Sequence, residues 1–130
     1  MLFFGHRFLE SKSFYHINSI EAITNTPPSS ALYIEFKEEN LDIITHLNDN
    51  DITYALSVSN ITQLMYASSL DADFIIVDKE LAKTAQNIAE SYLFDAKILV
   101  SIEDEEAIEE CALLGVDGVI FSNAIIKINS

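Results

Sequence analysis

Short apolar runs alternate with stretches of helical spacing along residues 31–121, and few folds accommodate this alternation. The runs are rich in β-branched and aromatic residues, and they occupy positions 31–36, 52–58, 74–77, 97–101 and 118–121. Several of them are almost unbroken in apolar residues, which is typical of parallel strands covered by helices. Repeated strand and helix units form parallel sheets. We therefore predict a single α/β domain with a parallel sheet of five or six strands.

Four helices are predicted from apolar residues that recur every three or four positions. The recurring positions are Leu41, Ile44 and Leu47, then Ile61, Leu64, Met65 and Ser68, then Leu81, Ala85, Ile88, Ala89 and Tyr92, and finally Ile108, Cys111, Ala112 and Gly115. Right-handed crossovers leave two arrangements, an open doubly wound sheet with three layers or consecutive strands that curve into a half barrel. A half barrel leaves an open edge, so that arrangement predicts a homodimer.

The first 29 residues form an extension to this repeated core, which spans residues 30–128 of a single domain covering 1–130. Leu2, Phe3 and Phe4 are apolar and predict an added edge strand. Residues 18–23 have the pattern of a short capped helix, and Pro27 with Pro28 interrupts the chain after it.

The charge and the residue usage exclude several kinds of partner. With 21 acidic residues against 7 Lys and Arg, the net charge of −14 disfavours nucleic acid and anionic membranes. Three glycines are too few for a glycine-rich nucleotide loop. Cys111 is the sole cysteine, so no intramolecular disulfide or cysteine cluster can form. No apolar run reaches membrane-spanning length, and we predict a cytoplasmic protein without a cofactor.

Polar residues follow the predicted strands, where a parallel sheet gathers its binding sites at the carboxyl edge. The candidate ligand-binding residues are Glu35, Asp78, Ser101, Ser122 and Asn123. Ser and Asp are also preferred at helix N-caps, so capping is the alternative interpretation of Asp78 and Ser101. The sequence leaves open whether this edge binds a metal.

Six acidic residues lie among the eight residues of the segment 103–110. Acids near a helix N-terminus interact favourably with the helix dipole, so a solvated face is one interpretation of this segment. A docking surface for a basic partner is the other.

Residues 97–128 resemble the last two strands of phosphate-binding TIM-barrel enzymes of the tryptophan synthase α-subunit type. The similarity runs through Lys97-Ile98-Leu99-Val100-Ser101 and Gly118-Val119-Ile120-Phe121. In that family, glycines after both strands hold a substrate phosphate through their backbone amides. Here residues 101–104 and 122–123 occupy those places without a glycine. The resemblance therefore implies the scaffold of the family, as half of a TIM barrel, without its phosphate-binding glycines.

Residues 31–123 also resemble a response-regulator receiver domain, whose fold is a flavodoxin-like three-layer sheet. Residues 73–78 are similar to the receiver's third strand, and the resemblance makes Asp78 the phosphoryl acceptor. It makes Glu35 the remaining acid of the magnesium-binding pair and Ser101 the hydroxyl residue that ends the fourth strand. The whole domain thus resembles a degenerate receiver.

The chemistry of both families depends on groups that this chain replaces, since Ser122 and Asn123 stand where a receiver has a lysine and a proline. We therefore predict a non-catalytic regulatory or protein-interaction module that forms a homodimer and binds a protein partner. The alternative is a small-molecule binding protein or enzyme, with a phosphorylated metabolite or a divalent metal at the carboxyl ends of the strands.

Overall fold

The structure, a computed structural model, describes residues 1–128 and has an alternating α/β architecture over that range. The strands are β1 (Leu2–Phe4), β2 (Phe14–His16), β3 (Ala31–Glu35), β4 (Tyr54–Ser57), β5 (Phe74–Val77), β6 (Lys97–Ile102), β7 (Gly118–Phe121) and β8 (Ile125–Lys127). The helices are α1 (Leu41–Asp49), α2 (Ile61–Ser69), α3 (Lys79–Ser91) and α4 (Ala107–Leu114). Short 3₁₀ helices occupy Glu21–Asn25, Glu38–Asn40 and Ser122–Ala124. No helix in this described range is long and apolar enough to cross a membrane.

All eight strands are parallel and form one sheet in the order β1-β7-β6-β5-β4-β3-β2-β8. From β2 to β7 each strand pairs with the next one along the chain, whereas the strand order of a doubly wound sheet reverses in the middle. The sheet also curls. Phe4 of β1 and Phe14 of β2 meet edge to face with ring centroids 5.1 Å apart, although five strands lie between β1 and β2. Of the two predicted arrangements, the half barrel is therefore the correct one.

The curled sheet separates two hydrophobic cores, because successive side chains of a strand point to opposite faces. The larger core lies between the convex face and the helices, where Leu32, Ile75 and Val100 pack. The concave core contains Phe4, Phe14, Ala31, Ala55, Ile76, Leu99, Ile120 and Ala124. Small alanines on this face leave room for three aromatic rings. The centroid of the Phe74 ring lies 5.6 Å from that of Phe4 and 5.4 Å from that of Phe14.

Local sequence accounts for the ends of the helices. Asn60 and Asp78 have extended backbones, and their side chains accept hydrogen bonds from the amides of Gln63 and Leu81, which caps α2 and α3. Gly115 ends α4 with a φ of 75°, a left-handed conformation that suits glycine.

The predicted parallel α/β sheet is confirmed, and the structure adds two strands of three residues each, β2 and β8. The predicted edge strand at the N-terminus is β1, which pairs with β7. The helix predicted at 18–23 is a 3₁₀ helix displaced to Glu21–Asn25, and Ser19 Oγ accepts a hydrogen bond from the amide of Ala22. The predicted domain extends to residue 130, and its last two residues lie outside the described range.

Candidate functional site

A cavity of about 310 Å³ opens at the carboxyl ends of β2, β3 and β8. It is lined by His16, Ile17, Asn18, Glu35, Lys37, Asn40, Lys127 and Ile128. The sheet register brings these residues together, because His16 is paired with Tyr33 on one side and with Lys127 on the other. The cavity therefore joins a residue near the start of the chain to one near its end.

The lining contains two of the chain's seven basic Lys and Arg residues, Lys37 and Lys127. The Lys37 ammonium lies 3.5 Å from a carboxylate oxygen of Glu35. Among residues 1–128, no carboxylate lies within ion-pairing distance of Lys127. With two ammonium groups against one carboxylate, the cavity is a local excess of positive charge on a strongly acidic protein.

His16 contributes a ring that is held between charged groups and an aromatic neighbour. Its Nε2 lies 3.8 Å from Glu35, and its ring meets the Tyr33 ring edge to face at 4.8 Å. Burial lowers the pKa of His16; Glu35 opposes this, and Lys127 and Lys37 lower the pKa further. A lower pKa favours the neutral imidazole at pH 7, and the neutral ring has one donor and one acceptor.

The loop after β3 is held in place by its own backbone and by Asn40. The side-chain amide of Asn40 donates to the carbonyl oxygen of Glu35 at 2.8 Å, and its backbone amide donates to the carbonyl of Lys37. These bonds fold residues 36–40 back against the end of β3. Lys37 is thereby positioned at the rim of the cavity.

Of the five residues predicted as ligand-binding, the lining of this cavity includes Glu35. Asp78 is the N-cap of α3, and its Oδ1 accepts a hydrogen bond from the Leu81 amide at 3.0 Å, as the capping interpretation predicts. Ser101 is exposed within β6, while α4 begins six residues later. Capping is therefore the wrong interpretation for Ser101, because β6 continues to Ile102.

Ser122 and Asn123 lie on the 3₁₀ helix that links β7 to β8. The Ser122 hydroxyl donates to Glu103 at 3.0 Å. The side-chain oxygen of Asn123 lies so close to Gly5 that a Cβ added there would be 2.6 Å from it. Both residues thus have contacts with neighbouring loops, away from the lining of the cavity.

Five polar residues of the lining were not among the predicted ligand-binding residues: His16, Asn18, Lys37, Asn40 and Lys127. The signal that could have found them is the strand character of residues 14–16 and 125–127, both of which are short aromatic or β-branched runs. Recognising those runs as strands would have placed His16 and Lys127 at carboxyl ends.

The acidic segment 103–110 is partly neutralised by basic side chains. Arg7 donates two hydrogen bonds to Glu105, at 2.6 and 3.1 Å, and Lys79 lies 3.0 Å from Glu110. The hydrogen bond from Arg7 lowers the pKa of Glu105. Cys111, on the buried face of α4, has its pKa raised by burial, as expected for a structural thiol.

Metal ligands do not gather anywhere in residues 1–128, where no group of three His, Cys, Asp or Glu residues could hold an ion. The divalent-metal alternative therefore remains a prediction. Anion binding, by contrast, requires only donors and cations, which the cavity has.

No family model and no curated protein sequence matches this chain. The resemblances to phosphate-binding TIM barrels and to receivers therefore remain predictions. A curled parallel sheet supports many different activities, so function has to be inferred from the residues of the cavity.

Proposed function

We propose that this chain is a non-catalytic regulatory module that binds a small phosphorylated metabolite in the cavity formed by β2, β3 and β8. The observation that carries the proposal is the location of Lys37 and Lys127, which line one cavity of a protein with a net charge of −14. A surface with this net charge repels anions in general, so a local cluster of cations is the feature that favours one anion at one place.

The chemistry of the lining fits a phosphate group. Two lysines supply point charges and ammonium donors, and the neutral imidazole of His16 adds a further donor. Hydrogen bonds from ammonium groups to phosphate oxygens are charge-assisted and therefore stronger than neutral ones. A cavity of about 310 Å³ is at the small end of the range for ligand sites, which favours a compact metabolite.

The lining of the cavity and the loops after the strands support a module that binds without catalysis. Glu35, the carboxylate of the lining, is engaged by Lys37 and lies beside His16. The loops that hold phosphate in the TIM-barrel family lack their glycines here, and the receiver's lysine position is Ser122. Binding requires only the groups that line the cavity.

Thermal unfolding at constant ionic strength tests the proposal with inorganic phosphate and ethyl phosphate as probes. A ligand that binds only the folded state raises the Tm. We expect both probes to raise the Tm of the unsubstituted protein and of Lys83→Gln, which removes an exposed lysine of α3. In Lys127→Gln we expect most of this shift to be lost. Equal shifts in all three proteins, or no shift in any, would contradict the proposal.

A further inference from the structure

A second concavity, which we call the apolar groove, lies between α1 and α2 on the convex side of the molecule. It has a volume of about 360 Å³. Its lining consists of Phe36, Glu38, Leu41, Tyr66, Ser69 and Leu70. The rings of Phe36 and Tyr66 are 5.9 Å apart and tilted by 30°, so they form an aromatic floor. The groove is thus unlike the cavity formed by β2, β3 and β8, whose lining is mostly polar.

Two apolar side chains of the groove are open to solvent. Tyr66 is 53% exposed and Leu41 is 38% exposed, although both are large and lie on one side of adjacent helices. Grouped exposed apolar residues of this kind mark interaction sites, whereas isolated ones are ordinary.

One acidic residue, Glu38, belongs to the lining of the apolar groove. Glu39 and Asp42 lie one and four residues further along the chain, and all three side chains are exposed. None of these three carboxylates has an ion-pair partner among residues 1–128. Lys37, the nearest cation in sequence, is turned to Glu35. Glu38 therefore brings uncompensated negative charge to the apolar floor, and two further acids follow it closely in the sequence.

We propose that the apolar groove docks a basic amphipathic segment of a partner protein. An apolar side chain of that segment packs on Phe36 and Tyr66, and flanking lysines or arginines reach Glu38, Glu39 and Asp42. Charge complementarity selects this occupant over a second copy of the chain. A two-fold contact through the groove would bring the two copies of Glu38 together, on molecules that each carry a charge of −14.

Fluorescence anisotropy tests the proposal with a short labelled peptide of leucine and lysine at helical spacing, compared with its leucine and glutamate counterpart. The groove variant is Leu41→Ser combined with Tyr66→Ser. The matched control is Leu113→Ser, which removes a leucine that is 83% exposed on α4, close to Glu109 and Glu110. Both substitutions are at exposed positions, and circular dichroism checks that each variant is folded.

We expect the lysine peptide to bind the unsubstituted protein and Leu113→Ser alike, and the glutamate peptide to bind neither. Loss of apolar burial weakens binding to the groove variant by about tenfold or more. Glu38→Lys, which leaves the apolar floor in place, also weakens binding. The proposal is overturned if the lysine peptide does not bind or if Leu113→Ser weakens it as much as the groove variant does. It is also overturned if sedimentation shows a dimer that only the groove variant dissociates.

Discussion

At the scale of single residues, the pKa of His16 is set by its surroundings in the cavity. Burial lowers its pKa from the ordinary value of 6.5, and two lysines act in the same direction. The folded state therefore binds a proton less readily than the unfolded chain. Stability from this group is fully present above pH 6.5 and is lost as the pH falls through the interval between 6.5 and the lower folded pKa.

The titration of His16 is accordingly a direct test of its environment. NMR of the imidazole protons should give a midpoint below 6.5 in the free protein. Inorganic phosphate in the cavity favours the protonated ring, so it should move the midpoint upward. A midpoint at or above 6.5, with no response to phosphate, would show that the cavity environment is different from the one described.

Asp78 provides a second test, because capping and ligand binding predict different results for Asp78→Ala. Loss of the hydrogen bond to the Leu81 amide should lower the free energy of unfolding by about 0.5–2 kcal/mol, measured with urea. The Tm shift caused by phosphate should be unchanged. As a control, Ser101→Ala at an exposed strand position should change stability by less than about 0.5 kcal/mol. If Asp78→Ala keeps its stability but loses the phosphate effect, Asp78 is a ligand residue.

The sequence allows the helix cap at Asp78 to be predicted, but it does not allow the cavity to be predicted. The cap at Asp78 is local, since the carboxylate and the amide it accepts from are three residues apart. The cavity is not local, because His16 and Lys127 meet only through the pairing of β2 with β8. No spacing along the chain indicates a contact of that kind.

At the scale of elements, length and apolar character together explain which strands could be predicted, since β1 has three residues but all of them are apolar. The helices have apolar residues at a regular spacing of three or four, and the strands from β3 to β7 are largely apolar runs of four residues or more. Both patterns can be identified in the sequence. In contrast, β2 and β8 have three residues each and depend on pairing with each other. Ser101 illustrates the same limit, because the end of β6 is set by pairing of Ile102 with Phe121 rather than by a local stop signal.

Gly118 makes the attachment of β1 testable. A Cβ at this position would lie 2.8 Å from Leu2 Cβ, from the Leu2 carbonyl oxygen and from Leu99 Cδ2. Gly118→Ala should therefore cost about 1–3 kcal/mol and displace β1 from β7. Hydrogen exchange of the β1 amides is the specific measurement, and their protection should fall.

The control for this substitution is Gly115→Ala, where a Cβ meets nothing within 4 Å but φ is +75°. Its cost should be about 1–2 kcal/mol from backbone strain alone, with the protection of β1 retained. If Gly118→Ala leaves the β1 amides protected, the close approach of β1 to β7 is not as described.

At the scale of the whole molecule, the fold class follows from the alternation of strands and helices, but the curl does not. Whether consecutive strands stay open or curve depends on strand order and on contacts such as Phe4 with Phe14, which are distant in the sheet. The spacing of apolar residues is the same in both cases. The sequence therefore left the half barrel and the open sheet as alternatives.

Self-association also belongs to this scale, and the homodimer expected of a half barrel remains a prediction. Each copy carries a charge of −14, so repulsion between copies opposes association at low ionic strength. Sedimentation velocity should show a dimer fraction that increases with added sodium chloride. A monomer at every salt concentration would contradict the expectation.

The central claim, an anion site between β2, β3 and β8, is tested most directly by an NMR titration with inorganic phosphate at constant ionic strength. Saturable amide shifts should centre on His16, Lys37 and Lys127, share one Kd, and weaken together in Lys127→Gln. Shifts centred on Asp78, Ser101 and Ser122 would place the site elsewhere on the carboxyl edge. Shifts that are unsaturable and spread over all lysines would contradict a specific site altogether.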